Sequence, residues 1–212
     1  MGKLNVKTII FWGAVWGVFE ATLGWLLHLM HFRGEVMILY PIGLLCMMMA
    51  TKQTGKVSAT IKVSAVAALV KLVNLFMQPT VPVFHITNPA VAIFLEGFVT
   101  WAFCMYIRKV TIARPMNVMI AAAMVFASIC LFRGWQIFMD AFITYNPSVH
   151  KAYDVGLFLQ WGWRSFAQGL MLVGAAYAVK YIPLSVSFRS WSNRLAFPLF
   201  LMTVLLNILI PF

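Results

Sequence analysis

The sequence predicts an all-α protein, a polytopic bundle of about seven transmembrane helices. Of its 212 residues, 63% are hydrophobic and only 10% are charged, and the mean hydropathy is +0.90. A soluble domain of this length could not bury so much apolar surface. Apolar runs close to the roughly 20 residues that cross a bilayer core recur along the chain. We therefore predict one integral membrane domain over residues 1–212.

The first predicted span covers residues 8–31 and carries one formal charge, Glu20, near its middle. A charge at that depth costs about 2.5–3.5 kcal/mol on insertion scales, so we expect Glu20 to face protein or a wet cavity. Steps of three and four place small residues and histidines on the same face. These are Gly13, Gly17, Gly24, His28 and His31. The span is too long for a signal peptide and lacks a small-residue cleavage site, so we predict that it is retained.

Six further spans are predicted from the remaining apolar runs. They cover residues 36–50, 62–77, 88–107, 117–142, 155–179 and 196–212. The second is short and contains Pro41 and Gly43, and the fourth is predicted to begin at the Asn88-Pro89 pair, read as a helix cap. Six spans are the alternative if the short second one is re-entrant, but the later loops would then fall on the wrong sides for their charges.

Basic residues are concentrated in the loops on one side of the predicted membrane. They are Lys3, Lys7, Lys52, Lys56, Lys62, Arg108, Lys109, Arg114, Lys180, Arg189 and Arg194. The opposite loops carry only Arg33 and Lys151. The positive-inside rule therefore predicts a cytoplasmic N-terminus and an external C-terminus, in the cytoplasmic (inner) membrane. The net charge of +11 then reflects topology, and no nucleic-acid partner is predicted.

Polar side chains within the spans lie mostly between mid-depth and the predicted outer surface, and we predict that they bind a ligand. The candidates are Glu20, Lys71, Asn74, Glu96, Arg133, Gln136, Gln160, Trp161, Trp163 and Arg164. A few convergent polar groups in an apolar cleft are typical of small-molecule sites. The alternative is that the charges only pair with one another to hold the bundle together. The depth favours an outward cavity, because structural pairing has no reason to avoid the cytoplasmic half.

Catalytic and metal-binding motifs are absent from the sequence. His28 and His31 could hold a metal only with a third ligand from elsewhere, and interfacial histidines without such a role are commoner, so neither metal nor cofactor is predicted. Three cysteines are predicted to be buried free thiols: Cys46, Cys104 and Cys130. A membrane-embedded enzyme remains the alternative, with Glu20 or Glu96 as acid or base and an arginine, Arg133 or Arg164, holding an anionic or lipid-linked substrate. A third possibility is an assembly factor that binds no ligand.

Two stretches resemble a known family. They are G-A-x-x-G-x-x-E-A-x-x-G at residues 13–24 and N-P-A-V-A-I-x-x-E-G at residues 88–97. Both are similar to the substrate-binding S components of energy-coupling factor (ECF) vitamin transporters. The resemblance implies an outward pocket for a vitamin or another micronutrient, a transmembrane coupling subunit and ATPases. It also implies that Gly13, Gly17 and Ala21 form the face that meets the coupling subunit. The sequence thus predicts a small-molecule binding and uptake protein surrounded by membrane lipids.

Overall fold

The computed structural model is all-helical over the residues that it describes, which confirms the predicted all-α class. The described residues are 6–31, 35–77, 81–109, 114–143, 145, 149, 154–183 and 186–210. The helices are α1 (Val6–Leu29), α2 (Glu35–Thr54), α3 (Ala59–Leu72), α4 (Asn74–Met77), α5 (Val83–Lys109), α6 (Arg114–Phe142), α7 (Val155–Ala178) and α8 (Val186–Leu209). Each predicted span has a helical counterpart, and the third is divided between α3 and α4.

Five stretches of the described helices are long and apolar enough to cross a membrane. They are Val6–Leu27, Ala59–Met77, Val83–Arg108, Pro115–Phe142 and Ser190–Leu209. The outer surface is correspondingly apolar, with Phe76 85% and Leu209 74% exposed. Water would penalise such a surface, whereas lipid would not. The chain is therefore described as a membrane protein. The other two long helices, α2 and α7, have 20 and 24 residues but contain more polar side chains.

Two predicted helix starts are wrong. Helix α5 begins at Val83, so Pro89 lies inside it and does not cap it. Proline removes only one backbone hydrogen bond, a loss that packed membrane helices tolerate. Helix α8 begins at Val186, well before the predicted start at Ala196. Its first turns are polar in sequence, but Ser192 is buried and Asn193 accepts a 3.4 Å hydrogen bond from Thr8, so packing on α1 stabilises this part of the helix.

Pairs of neighbouring residues define the direction of each long helix. Helix α1 is parallel to α3 and α8, as shown by Gly13–Val66, Gly17–Val70, Thr8–Asn193 and Ala14–Thr203. It is antiparallel to α2, as shown by Trp16–Gly43 and Gly24–Leu39. Helix α2 is parallel to α5, as shown by Met48–Cys104 and Tyr40–Glu96. Helix α6 is antiparallel to α7, as shown by Ala122–Gly169 and Asn117–Tyr177.

Lys52 at the end of α2 fixes the direction of the remaining pair of helices. Its Nζ donates to the carbonyl oxygens of Val179, Lys180 and Ile182 at 2.6, 3.0 and 2.7 Å. The last carbonyls of a helix lack intrahelical donors and carry partial negative charge, so a lysine there caps α7. The C-terminal ends of α2 and α7 therefore meet. Helices α1, α3, α6 and α8 run one way through the bundle, and α2, α5 and α7 run the other way.

Basic side chains gather at one end of the bundle, which we call the basic end. They are Lys7, Lys52, Lys56, Lys62, Arg108, Lys180 and Arg194. Helix α2 lies at the centre and packs against α1, α3, α5 and α7. Tyr40, Leu44 and Met47 on α2 are 2% exposed or less. Most of the polar side chains described next lie on α2 or on the helices packed against it.

Candidate functional site

Four helices bring a group of polar side chains together inside the bundle, and we call this group the polar cluster. It consists of Trp16 and Glu20 on α1, Tyr40 on α2, Lys71 on α3 and Glu96 on α5. Asn74 on α4 comes one turn after Val70, which packs on Gly17, and so lies near the level of Glu20. Glu20, Lys71, Asn74 and Glu96 are all residues that the sequence predicted to bind a ligand.

Glu20 is the centre of the electrostatic interactions in the polar cluster. Its Oε1 accepts a 3.1 Å hydrogen bond from Trp16 Nε1, one turn earlier on α1. Its negative charge acts on both Lys71 and Glu96. Trp16 is held rigidly, because Gly43 leaves room for its ring: a Cβ at Gly43 would lie 2.5 Å from Trp16 Cζ2. The carboxylate is thus oriented by a fixed donor before any ligand arrives.

Lys71 lies in the last turn of α3 and Asn74 begins α4, with only Val73 between the two helices. Val73 keeps helical backbone angles, φ −56° and ψ −32°, and its amide donates to the carbonyls of both Leu69 and Val70, at 3.2 and 3.3 Å. Ala59–Met77 is therefore a nearly continuous helical stretch, long and apolar enough to cross a membrane. Lys71 is 7% exposed and Asn74 0% exposed, so both lie inside the bundle.

Tyr40 and Glu96 form the far side of the polar cluster. The Tyr40 side chain is 2% exposed, and its hydroxyl has no hydrogen-bond partner. Tyr40 and Glu96 each come eight residues before the contacting pair Met48 and Cys104 on parallel helices, so the two side chains lie at the same level of the bundle. Glu20 and Glu96 are partly buried as whole residues, whereas Tyr40, Lys71 and Asn74 are buried. Tyr40, Lys71 and Asn74 therefore form the most buried part of this region.

The other predicted ligand-binding residues lie on α6 and α7. Arg133 donates to Gln136 Oε1 at 3.1 Å and to the Val149 carbonyl at 2.9 Å. On α7, Gln160 and Trp163 are exposed, whereas Trp161 and Arg164 are partly buried. Helices α6 and α7 pack on each other, with α6 also against α5 and α7 against α2. The electrostatic interactions of the polar cluster connect Glu20, Lys71 and Glu96, and a chamber shared with Arg133 and Arg164 stays a prediction.

The face that the family resemblance assigns to a coupling subunit is occupied by the chain itself. A Cβ at Gly13 would lie 2.6 Å from Val66 Cγ1 on α3, and one at Gly17 would lie 2.6 Å from Thr203 Cγ2 on α8. Ala21, the third residue of this face, is 3% exposed. Small residues here allow three helices to approach closely, which is the usual role of such faces in membrane bundles.

The histidine and cysteine positions give no metal centre within the described part of the chain. No three metal-ligating side chains converge there. The His28 side chain lies outside the described residues, and His31 is exposed, with its Nδ1 3.1 Å from the Leu29 carbonyl. Cys46 and Cys104 are buried free thiols as predicted, but Cys130 lies on the exposed side of α6. The sequence did not show which side of α6 Cys130 occupies, because its immediate neighbours are apolar.

The sequence analysis missed Tyr40 and Trp16 as members of the polar cluster. Both stand in apolar runs where an aromatic residue is ordinary core or lipid-facing material. A weak signal existed for Tyr40, since it precedes Pro41 and Gly43 in a short span. For Trp16 the only polar residue nearby in the sequence is Glu20, one turn later. Comparison with protein-family models, curated proteins and solved structures finds no match for this chain.

Proposed function

We propose that this protein binds a small molecule inside its membrane bundle and takes part in the uptake of that molecule. The observation that carries the proposal is the polar cluster: charged residues from α1, α3 and α5 interact there, next to buried polar groups of Tyr40 and Asn74 that have no partner. Charges that served only to hold helices together would leave few hydrogen-bonding groups unused. Unused groups near charged side chains are instead what a ligand site provides.

The proposal includes seven membrane crossings with the basic end in the cytoplasm. The alternating directions of the seven long helices support this number, although α2 and α7 are more polar than the other five. A more polar helix can cross a membrane when its polar side chains face protein. The gathering of lysines and arginines at the basic end supports a cytoplasmic N-terminus and an external C-terminus. The site would then open toward the outside of an inner membrane.

The resemblance to S components extends the proposal to partners. In this proposal a transmembrane coupling subunit and ATPases supply the energy for uptake, as the resemblance implies. The buried positions of Gly13, Gly17 and Ala21 mean that such a subunit would contact another face of the bundle. Recovery of an ATPase with the purified protein supports uptake. Turnover of a lipid-linked substrate by the isolated protein supports the enzyme alternative instead.

Native mass spectrometry of the purified protein tests the binding function. We expect the wild-type protein to carry a small molecule that Asn74→Leu loses, because leucine removes both unpartnered amide atoms. Asn117→Leu is the matched control: Asn117 is also a buried asparagine, 4% exposed, with an unpartnered amide oxygen, but it lies at the N-terminal part of α6, where its amide nitrogen donates to the Tyr177 hydroxyl, away from the cluster. Equal loss in both variants, or a wild-type protein that carries no small molecule, contradicts the binding function.

A further inference from the structure

The acidic residues of the chain all lie away from the basic end. The sequence contains five of them: Glu20, Glu35, Glu96, Asp140 and Asp154. Glu20 and Glu96 are separated by more than about three helical turns from Lys7 and Arg108, which mark the basic end on the same helices. Glu35 and Asp154 stand at the N-terminal ends of α2 and α7, and Asp140 near the C-terminal end of α6, all opposite to the basic end. The chain therefore places no acidic side chain beside the lysines and arginines of that end.

Three exposed cations of the basic end belong to helices that run side by side. They are Lys7 on α1, Lys62 on α3 and Arg194 on α8. These parallel helices meet at one point, because a Cβ at Gly17 would lie 2.6 Å from Thr203 Cγ2 and 3.9 Å from Val70 Cγ1. Each cation precedes the residue of its own helix at that point by eight to ten residues, or about 12–15 Å. The three cations therefore lie at the same level of the bundle.

Exposed apolar side chains continue the helix faces that carry two of these cations. Leu69 follows Lys62 by two turns and is 61% exposed, and Leu201 follows Arg194 by two turns and is 62% exposed. Residues seven apart share one face of a helix. Trp191, also exposed, stands one turn before Arg194 on the same side of α8. Tryptophan and basic residues at the border of an apolar surface are typical of the level of lipid headgroups.

We propose that Lys7, Lys62 and Arg194 form a binding surface for the headgroups of anionic phospholipids, which we call the lipid patch. The lipid phosphate accepts hydrogen bonds from the ammonium and guanidinium groups. The acyl chains lie along the exposed apolar faces of α3 and α8. In the proposed orientation these are lipids of the cytoplasmic leaflet, whose negative charge attracts basic residues next to membrane helices. This inference goes beyond the proposed function and does not depend on small-molecule binding.

A lipid fits the patch better than an acidic protein does. The cations border directly on apolar side chains that need a hydrocarbon environment, as Arg194 and Leu201 show on one face of α8. A phospholipid supplies an anionic headgroup and hydrocarbon chains in one molecule, at the spacing that a membrane helix presents. An acidic surface of a soluble protein would pair with the cations and leave the apolar faces without a partner.

Two phospholipids with identical chains and different charge test the proposal. Dioleoylphosphatidylglycerol carries a net negative charge, whereas dioleoylphosphatidylcholine carries none. Each is added to the delipidated protein in detergent, and the bound lipids are counted by native mass spectrometry. We expect the wild-type protein to bind phosphatidylglycerol at least about fivefold more tightly, which is the effect of one basic residue at an anionic membrane surface. Sodium chloride should reduce this preference, because salt screens exposed charges.

Two matched double variants connect the preference to the lipid patch. Lys7→Gln with Arg194→Gln removes two cations that adjoin the bonded pair Thr8 and Asn193, and the preference should fall below about twofold. Arg108→Gln with Lys180→Gln also removes one arginine and one lysine from exposed positions of the basic end, but on α5 and after α7. This control should keep the wild-type preference.

Folding of the variants is checked separately. All four substituted side chains are exposed, so both double variants should melt close to the wild-type temperature in lipid-free detergent. If Lys7→Gln with Arg194→Gln does not fold, the single variants Arg194→Gln and Arg108→Gln provide the same comparison. Only Arg194→Gln should then weaken the preference for phosphatidylglycerol.

Each other outcome overturns the proposal. Equal binding of the two lipids by the wild-type protein refutes an anionic lipid and makes an acidic protein the partner of the cations. An unchanged preference in Lys7→Gln with Arg194→Gln, or an equal fall in the control, refutes the lipid patch as the place of binding. Displacement of phosphatidylglycerol by an equal concentration of glycerol 3-phosphate makes a soluble phosphate ester the ligand. A protein that carries no small molecule refutes the binding function but leaves the lipid patch standing.

Discussion

Gly97 on α5 should not tolerate alanine, because α3 leaves no room for a methyl group there. A Cβ at Gly97 would overlap both Oγ and Cβ of Ser64, and it would lie 3.5 Å from the Thr60 carbonyl oxygen. The hydroxyl of Ser64 can rotate away, but its Cβ is fixed to the backbone of α3. The two helices must therefore separate or shift, as in other overpacked interiors.

The expected magnitude follows from two opposing terms. Overpacking typically costs about 1–3 kcal/mol, whereas replacing a helical glycine by alanine stabilises the helix by about 0.5–1 kcal/mol. The net loss in Gly97→Ala is then up to about 2.5 kcal/mol, or up to about 10 °C in melting temperature for a chain of this size. Gly174→Ala on α7 is the matched control, because a Cβ there would meet nothing within 4 Å. It should melt at or above the wild-type temperature.

Thermal unfolding of the purified protein in detergent, followed by tryptophan fluorescence, measures both variants. The double variant Gly97→Ala with Ser64→Gly provides the decisive comparison, because glycine at position 64 removes the atoms that collide. We expect it to recover part of the stability that Gly97→Ala loses, which a double-mutant cycle reports as coupling. If Gly97→Ala melts no lower than Gly174→Ala, or if Ser64→Gly adds its own loss without rescue, the close packing of α3 on α5 is refuted.

Three further predictions address the end of α7, the α1–α8 interface and the topology. Lys52→Met should destabilise the protein by about 1–3 kcal/mol, because three carbonyl oxygens lose their charged donor. Lys62→Met, at an exposed position, should change the stability little. Thr203→Val should cost about 0.5–1.5 kcal/mol, because the single hydroxyl proton of Thr203 is shared between the Ala14 carbonyl on α1, at 3.0 Å, and the Leu199 carbonyl of its own helix, at 2.8 Å. Alkaline phosphatase fused to the C-terminus should be active, since that enzyme works only outside the cytoplasm.

Each of these predictions has a measurement that can contradict it. Equal melting temperatures for Lys52→Met and Lys62→Met would show that the capping bonds do not stabilise α7. A Thr203→Val protein as stable as the wild type would mean that the bond to α1 contributes nothing net. If a reporter that works only in the cytoplasm is active at the C-terminus, either the proposed orientation or the number of crossings is wrong.

The positions of the helices could be predicted from the sequence because each apolar run is long and is separated from the next by polar residues. The helix ends were harder to predict. Pro89 resembles a cap in sequence, yet it continues a helix that packing already supports. The polar start of α8 resembles a loop, since its stabilising contact, Asn193 with Thr8, joins residues far apart in the chain.

The polar cluster could be predicted only in part, for a physical reason. A charged residue within a membrane span is conspicuous, and Glu20, Lys71 and Glu96 were identified on that basis. Which charges meet depends on how the helices are rotated, and helices that are apolar on all sides carry little information about rotation. The prediction that Arg133 and Arg164 share a chamber with the carboxylates depends on that rotation and stays a prediction; Arg133 donates to Gln136 and to the Val149 carbonyl.

The parallel packing of α8 on α1 has a consequence for how the protein is made. The bond between Thr203 and Ala14 joins residues 189 positions apart. At synthesis rates of about 5–20 residues per second, the ribosome reaches Thr203 about 10–40 s after Ala14. During that interval the side of α1 that includes Gly17 has no α8 to cover it. This side of α1 is therefore exposed to lipid or to the insertion machinery until α8 has left the ribosome.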